Sequence, residues 1–164
     1  MMMKRQYLAA GAALAAGLLA PAASAQQIPG PYGPAVTLAQ ARTIVDAAHR
    51  EAKARNFRMA FTVVLPSGEP ILLEVMDGTQ SASIVVSQQK ARSSARFRRP
   101  TKAFADSVAK NGAAVLSLDG VVAVEGGVPI LSNGLVIGAL GISGGTSAED
   151  GEIAAAALAS AKLN

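Results

Sequence analysis

One stretch near the carboxyl end has the spacing of a catalytic motif. Residues 141–145 read Gly-Ile-Ser-Gly-Gly and match the G-x-S-x-G pattern of hydrolases, in which the serine occupies a tight turn between a strand and a helix. In that fold the histidine follows the serine in the chain, whereas the only histidine here, His49, precedes Ser143. The glycines are therefore better explained by a tight strand-to-helix turn, and a hydrolase requires Ser143 and His49 to lie within hydrogen-bonding reach.

The scarcity of metal-ligating side chains limits the sites that one chain can build. The sequence contains one histidine, His49, and no cysteine, so it cannot assemble a structural zinc site or a facial-triad iron site by itself. Haem iron is different, because the porphyrin supplies four nitrogens and one protein side chain is enough. His49 is therefore the candidate axial ligand, and Met59 and Met76 are weaker candidates that also suit a hydrophobic core.

The densest positive charge lies on one predicted helix and just after it. Its members are Lys90, Arg92, Arg96, Arg98, Arg99 and Lys102. Guanidinium groups suit carboxylates, such as haem propionates, a small acidic ligand or an acidic face of a neighbouring subunit. The alternative is a solvated helix face that is balanced by nearby acidic residues. With only four phenylalanines, the chain has no platform on which nucleic-acid bases would stack.

The amino terminus has the organisation of an export signal. Two basic residues precede an apolar run, and an A-x-A cleavage site ends at Ala25. Residues 1–25 are therefore predicted to be a signal peptide, which places the mature protein in the periplasm or outside the cell without a membrane span. Cleavage lowers the formal charge from +4 to +2, which is too small to favour nucleic-acid binding.

After the signal peptide the sequence predicts a tether and a single domain. Residues 26–36 are rich in proline and glycine and are predicted to be a tether, and residues 37–164 form the domain. Capping boxes at Thr37 and Thr146 mark two helix starts. The predicted helices cover residues 37–55, 80–97, 101–110 and 147–162, and the predicted strands cover residues 59–65, 71–76, 121–124, 128–131 and 135–142.

Two predicted hairpins define the fold class. Asn133-Gly134 suits a type I′ turn, because both residues tolerate positive φ, and a loop rich in proline and glycine joins the first two strands. The first two strands are almost continuously apolar, so their sheet should be covered on both faces or closed by a partner chain. The sequence therefore predicts an α+β domain, an antiparallel sheet with helices packed on it, of the profilin or PAS kind.

Several ordered motifs across residues 37–162 resemble the GlcG/HbpS-like haem-binding family, which also occurs as the carboxy-terminal domain of PduO-type proteins. The segments that carry the resemblance are Thr37-Leu38-x-x-Ala41, Glu74-Val75-Met76-Asp77-Gly78, Gln89-Lys90-Ala91-Arg92, Arg99-Pro100-Thr101, Gly126-Gly127-Val128-Pro129-Ile130 and Gly138-Ala139-Leu140-Gly141-Ile142-Ser143-Gly144.

The resemblance implies a profilin-like domain that forms homo-oligomers and binds haem, with haem degradation or redox sensing in some members. It implicates a histidine on the first helix or a hydroxyl after the arginine-bearing helix, which are His49 and Thr101 here. Arg96 and Arg99 are then expected to meet the haem propionates. The expected function is an exported, oligomeric haem-binding protein rather than an enzyme. The alternative is a module that binds a small acid or a partner protein without haem.

Overall fold

We describe the protein from a computed structural model, which covers residues 30–163. The predicted signal peptide and the first four residues of the predicted tether lie outside these residues. The helices are α1 (Leu38–Ala54), α2 (Ser81–Phe97), α3 (Lys102–Asn111) and α4 (Ser147–Ser160), with a 3₁₀ turn at Ala113–Ser117. The strands are β1 (Ala60–Val64), β2 (Pro70–Val75), β3 (Gly127–Ser132) and β4 (Leu135–Ser143). The predicted α+β class is confirmed.

The four strands form one antiparallel sheet in the order β2-β1-β4-β3. β1 lies in the centre and is buried along its whole length, because helices cover the sheet on both faces. Phe61 and Val63 point into the core beneath α1 and α4. Thr62 points the other way, and its hydroxyl lies 2.8 Å from the hydroxyl of Ser87 on α2. None of the helices in residues 30–163 is long and apolar enough to cross a bilayer.

Local sequence signals explain where the elements begin and turn. Thr37 and Thr146 both form the predicted capping boxes, in which a side chain three residues later accepts a hydrogen bond from the threonine N–H. At α4 this second partner is Glu149, and its hydrogen bonds from Thr146 lower the pKa of the Glu149 carboxyl. Asn133 and Gly134 have φ values of 50° and 77°, which confirms the predicted type I′ hairpin between β3 and β4.

One predicted strand is wrong. Residues 121–124 form no strand, and this segment lies against α2 instead of along an edge of the sheet. The backbone N–H of Val122 donates to the Ser93 hydroxyl at 3.0 Å, so a helix side chain takes the hydrogen bond that a neighbouring strand would have taken. The backbone of this segment therefore bonds to a helix side chain, and the next strand begins only at Gly127.

Part of the predicted tether contacts the sheet, because residues 31–36 lie along the start of β4. β1 pairs with β4 only from Ala139 onwards, which leaves the start of β4 open on that side. The chain from Gly30 fills this place: Val136 N–H donates to the Pro31 carbonyl at 2.9 Å, and Gly33 N–H donates to the Val136 carbonyl at 3.0 Å. The prolines prevent a regular strand but still allow these isolated pairings.

Candidate functional site

An open groove lies between the end of α1 and the end of β2. Its volume is about 410 Å³, within the usual range of about 300–1,000 Å³ for small-molecule sites. The residues that line it are His49, Lys53, Asn56, Phe57, Arg58, Val75, Met76 and Asp77. A second hollow of about 290 Å³ runs over the outer surface of α1, and His49 borders both spaces.

His49 is held in a defined orientation. Its Nδ1 lies 3.0 Å from Oε1 of Glu74 on β2, and both side chains are 42% exposed. The Phe61 ring lies beneath it, with ring centroids 6.0 Å apart and planes inclined by 32°. An ionised carboxylate can only accept, so Nδ1 donates the hydrogen bond, and in the neutral imidazole Nε2 then keeps its lone pair. His49 is therefore placed to act as a ligand through Nε2.

The rest of the groove combines cationic and apolar groups. Lys53 follows His49 by one turn of α1, and Arg58 lies just beyond the helix, where its Nη1 donates to the Asp77 carbonyl at 3.3 Å. Phe57 and Met76 supply apolar surface, and the Met76 thioether is a soft donor atom. The cationic groups would suit a carboxylate and the apolar side chains would suit the hydrocarbon part of the same molecule, while Asp77 adds one negative charge to the lining.

Arg96 and Arg99 do not line this groove. α2, which carries Arg96, covers the face of the sheet opposite to α1. Arg96 Nε donates to the Ser67 carbonyl in the β1–β2 loop at 3.1 Å, and Arg99 stacks over the Phe104 ring at 5.8 Å. Within one chain these two arginines therefore stabilise a loop and a helix junction, and they lie away from His49.

Thr101 is also remote from the groove and is completely buried. Its Oγ1 accepts from Gly127 N–H at 3.0 Å, and its own N–H donates to the Gly127 carbonyl at 2.9 Å. This reciprocal pair fastens the start of α3 to the start of β3. Met59 is fully buried as well, so of the two methionines only Met76 faces the groove.

The structure does not assemble a serine hydrolase site. Ser143 lies two residues after Gly141 on β4, so both point to the α2 face of the sheet. His49 lies over the opposite face, where its hydrogen-bond partner is Glu74. Ser143 and His49 are therefore separated by the sheet, and the glycines after Ser143 serve the turn into α4.

A buried ion pair lies outside the groove and joins α2 to α4. Lys90 Nζ lies 2.6 Å from Asp150 Oδ2 and also donates to the Ile142 carbonyl at 3.2 Å. The Asp150 carboxylate accepts a further hydrogen bond from Gly145 N–H at 2.9 Å. Burial raises the pKa of the Asp150 carboxyl, while Lys90 and the backbone amides oppose that shift. The pair is enclosed by protein, so its role is structural.

Sequence reasoning found His49 and Met76 but missed the partners of His49 in the groove. Lys53 and Arg58 lie in a stretch of ordinary surface charge, and nothing in their spacing distinguishes them. Glu74 had a usable signal, because it is the only charged residue in the apolar run of β2. A lone charge in an otherwise apolar strand indicates a partner on the covering helix.

The fold and the site together define an α+β domain in which one histidine is oriented at an open groove. Residues 36–159 match the family model described as "Haem degrading protein HbpS-like". The chain belongs to this HbpS-like family, which confirms the resemblance to the GlcG/HbpS-like proteins.

Relatives and solved structures support the same assignment. Protein GlcG of Escherichia coli K12 is 35% identical over 103 residues, which are 63% of this chain and 77% of GlcG. The crystal structure of Klebsiella pneumoniae protein ORFY is 29% identical with a TM-score of 0.71, covering 85% of this chain and 96% of ORFY. The structure of a PduOC:haem complex is 27% identical with a TM-score of 0.70, covering 76% of this chain and 94% of PduOC.

Proposed function

We propose that this protein binds haem in the groove beside His49, with His49 Nε2 as the axial ligand. The observation that carries the proposal is the hydrogen bond between His49 Nδ1 and Glu74, which leaves Nε2 free at the groove. Bound haem would supply the iron and four of its ligands, so one protein side chain completes the site. The haem that accompanies PduOC in its crystal structure supports the proposal by likeness.

The groove also offers partners for the haem propionates. Lys53 and Arg58 are on the same side of the sheet as His49 and line the same space. Phe57 and Val75 would contact the apolar porphyrin face. In this arrangement Arg96 and Arg99 reach a propionate only from a second copy of the chain, because within one chain they lie beyond the sheet.

Hemin titration tests the proposal. We expect saturable binding with a shift of the Soret band, and His49→Ala should weaken binding about tenfold or more, which corresponds to about 1.4 kcal/mol. The matched control is Asp46→Ala, on the same helix one turn away and outside the main groove. Thr101→Ser, which keeps the buried hydroxyl, should bind hemin like the wild type.

Two results would contradict haem binding at His49. One is the absence of any saturable Soret change in the wild type, which would leave a small carboxylic acid as the ligand class that Lys53 and Arg58 favour. The other is equal hemin affinity in the wild type and in His49→Ala. If Arg96→Ala weakens binding and Arg58→Ala does not, a neighbouring subunit supplies the propionate contacts.

We further propose that the protein is exported and that copies associate through the segment between α3 and β3. The amino-terminal leader pattern supports export, and recovery of a mature chain that begins at Gln26 would test it. None of residues 112–125, which form this segment, is buried, although the segment is rich in apolar residues. Leu116, Leu118 and Val124 are exposed to 51%, 49% and 45%. A soluble monomer rarely leaves such a surface open, so a second copy is the proposed cover.

Charge placed on this segment should weaken the association. We expect Leu116→Glu with Leu118→Glu to reduce the molecular mass measured by light scattering to that of a smaller assembly, because a carboxylate buried at an interface lacks a partner. Leu131→Glu is the control, since Leu131 is 57% exposed on β3, outside the segment. An unchanged mass in the double variant would rule out this segment as the interface.

A further inference from the structure

Glu74 is the only charged side chain in the central apolar run of the hairpin formed by β1 and β2. On β2, Leu72 and Glu74 share the face that α1 covers, and Glu74 pairs across the sheet with Phe61. An apolar residue would suit that position, as Leu72 does two residues earlier. The charge at this position therefore needs a reason beyond the formation of the strand.

The contact between Glu74 and His49 provides this reason: the charge of Glu74 orients His49 and adds little to the stability of the fold. Both side chains are 42% exposed, and a pair exposed to this extent contributes only about 0–1 kcal/mol. The contact has a clear geometric effect. The Phe61 ring lies below the imidazole of His49 and the Glu74 carboxylate lies beside it, and together they fix which ring nitrogen faces Glu74. No hydrogen bond to His49 Nε2 is formed within residues 30–163.

We propose that Glu74 is a positioning residue: it holds His49 in the tautomer with hydrogen on Nδ1 and directs the unprotonated Nε2 to the groove. The tautomer is expected in the ligand-free protein and does not depend on haem binding. The consequence for the ligand rests on the proposed haem function. In that case the carboxylate makes the imidazole a stronger donor to iron, since a hydrogen bond from Nδ1 to an anion increases the basicity of Nε2.

Nitrogen-15 NMR of the ligand-free protein tests the tautomer directly. His49 is the only histidine in the chain, so the ring signals need no assignment by mutation. At about pH 8 we expect the neutral form with hydrogen on Nδ1 to dominate, because the Glu74 carboxylate accepts from that nitrogen. Glu74→Leu should shift the population towards hydrogen on Nε2, as in free histidine, whereas Glu74→Gln should retain the wild-type pattern because its amide oxygen still accepts.

The control is Glu69→Gln, which removes one exposed carboxylate from the preceding loop and should leave the His49 signals unchanged. Dominant hydrogen on Nε2 in the wild type, or the same spectrum in Glu74→Leu, would overturn the positioning role. The Glu74→Leu variant should bind hemin about 10- to 100-fold more weakly than the wild type. In the hemin complex of this variant, the reduction potential of the iron should be higher. Failure of the wild type to bind hemin would remove the haem function and leave the NMR result to decide the role of Glu74.

Discussion

Lys90→Met is expected to lower the free energy of unfolding by about 3–5 kcal/mol, measured by urea denaturation at neutral pH. Lys90 and Asp150 are exposed to only 1% and 3%, so neither charge has water as an alternative partner. Removing the ammonium leaves the Asp150 carboxylate buried with its backbone hydrogen bonds alone. That loss is a large share of the total stability of a domain of this size.

The loss should depend on pH in a defined direction. Burial already raises the pKa of Asp150 above its ordinary value of 3.8, and without Lys90 the pKa rises further. A group with a raised folded pKa contributes its full stability below the unfolded pKa, and this contribution is lost as the pH rises through the folded pKa. The difference between Lys90→Met and the wild type should therefore be largest at neutral pH, shrink as the pH falls through the raised Asp150 pKa of the variant, and reach its minimum by about pH 3.8.

Two further variants separate the charge from the packing. Lys90→Met combined with Asp150→Asn removes both charges and keeps an oxygen that accepts from Gly145 N–H. It should recover most of the lost stability, because replacing a whole buried pair is far less damaging than breaking it. Lys102→Met, which breaks the exposed pair with Asp106, should change stability by less than about 1 kcal/mol. Equal losses in Lys90→Met and Lys102→Met would contradict the structural role of the buried pair.

Much of the fold was predictable because its signals are local. The capping boxes at Thr37 and Thr146, the Asn133-Gly134 turn and the apolar runs of the four strands each act over a few residues, and the structure confirms these signals. The wrong strand at residues 121–124 and the unforeseen pairing of the chain before Thr37 both arose where a distant element decided the outcome. Ser93 on α2 captures the backbone at Val122, and the open start of β4 captures the chain from Gly30. Neither hydrogen-bonding partner can be identified before the tertiary arrangement is known.

The site was less predictable than the fold, because its parts come from separated elements. Composition alone singled out His49, since a sole histidine must be considered as a ligand. The arginine run attracted attention through its density, yet Arg96 and Arg99 contact a loop and an aromatic ring on the far side of the sheet from His49. Helical spacing states which residues share a face, but it does not state which face of the sheet that helix covers.

Gly141→Ala is expected to destabilise the domain by about 3 kcal/mol or more in the same urea assay, because it forces α2 away from the sheet. A Cβ at this position would collide with the Ser87 carbonyl and lie 2.6 Å from the Ala91 nitrogen, and both of these are backbone atoms of α2. A helix backbone cannot move aside as a flexible side chain can. Ser87 and Lys90 are also on α2, so a displaced α2 would weaken the Thr62–Ser87 hydrogen bond and the Lys90–Asp150 ion pair as well.

The comparison with Gly120 distinguishes steric contact from the general effect of replacing a glycine. Gly120 has a φ of 78° and no neighbouring atom within 4 Å of an added Cβ, so Gly120→Asn meets open space and uses a residue that tolerates this conformation. It should change stability by less than about 0.5 kcal/mol, as surface substitutions usually do. Similar stabilities for Gly141→Ala and the wild type would mean that α2 does not pack on β4 as closely as the structure places it. Because α2 covers the face opposite His49, a folded Gly141→Ala protein should still bind hemin, which would separate the scaffold from the proposed site.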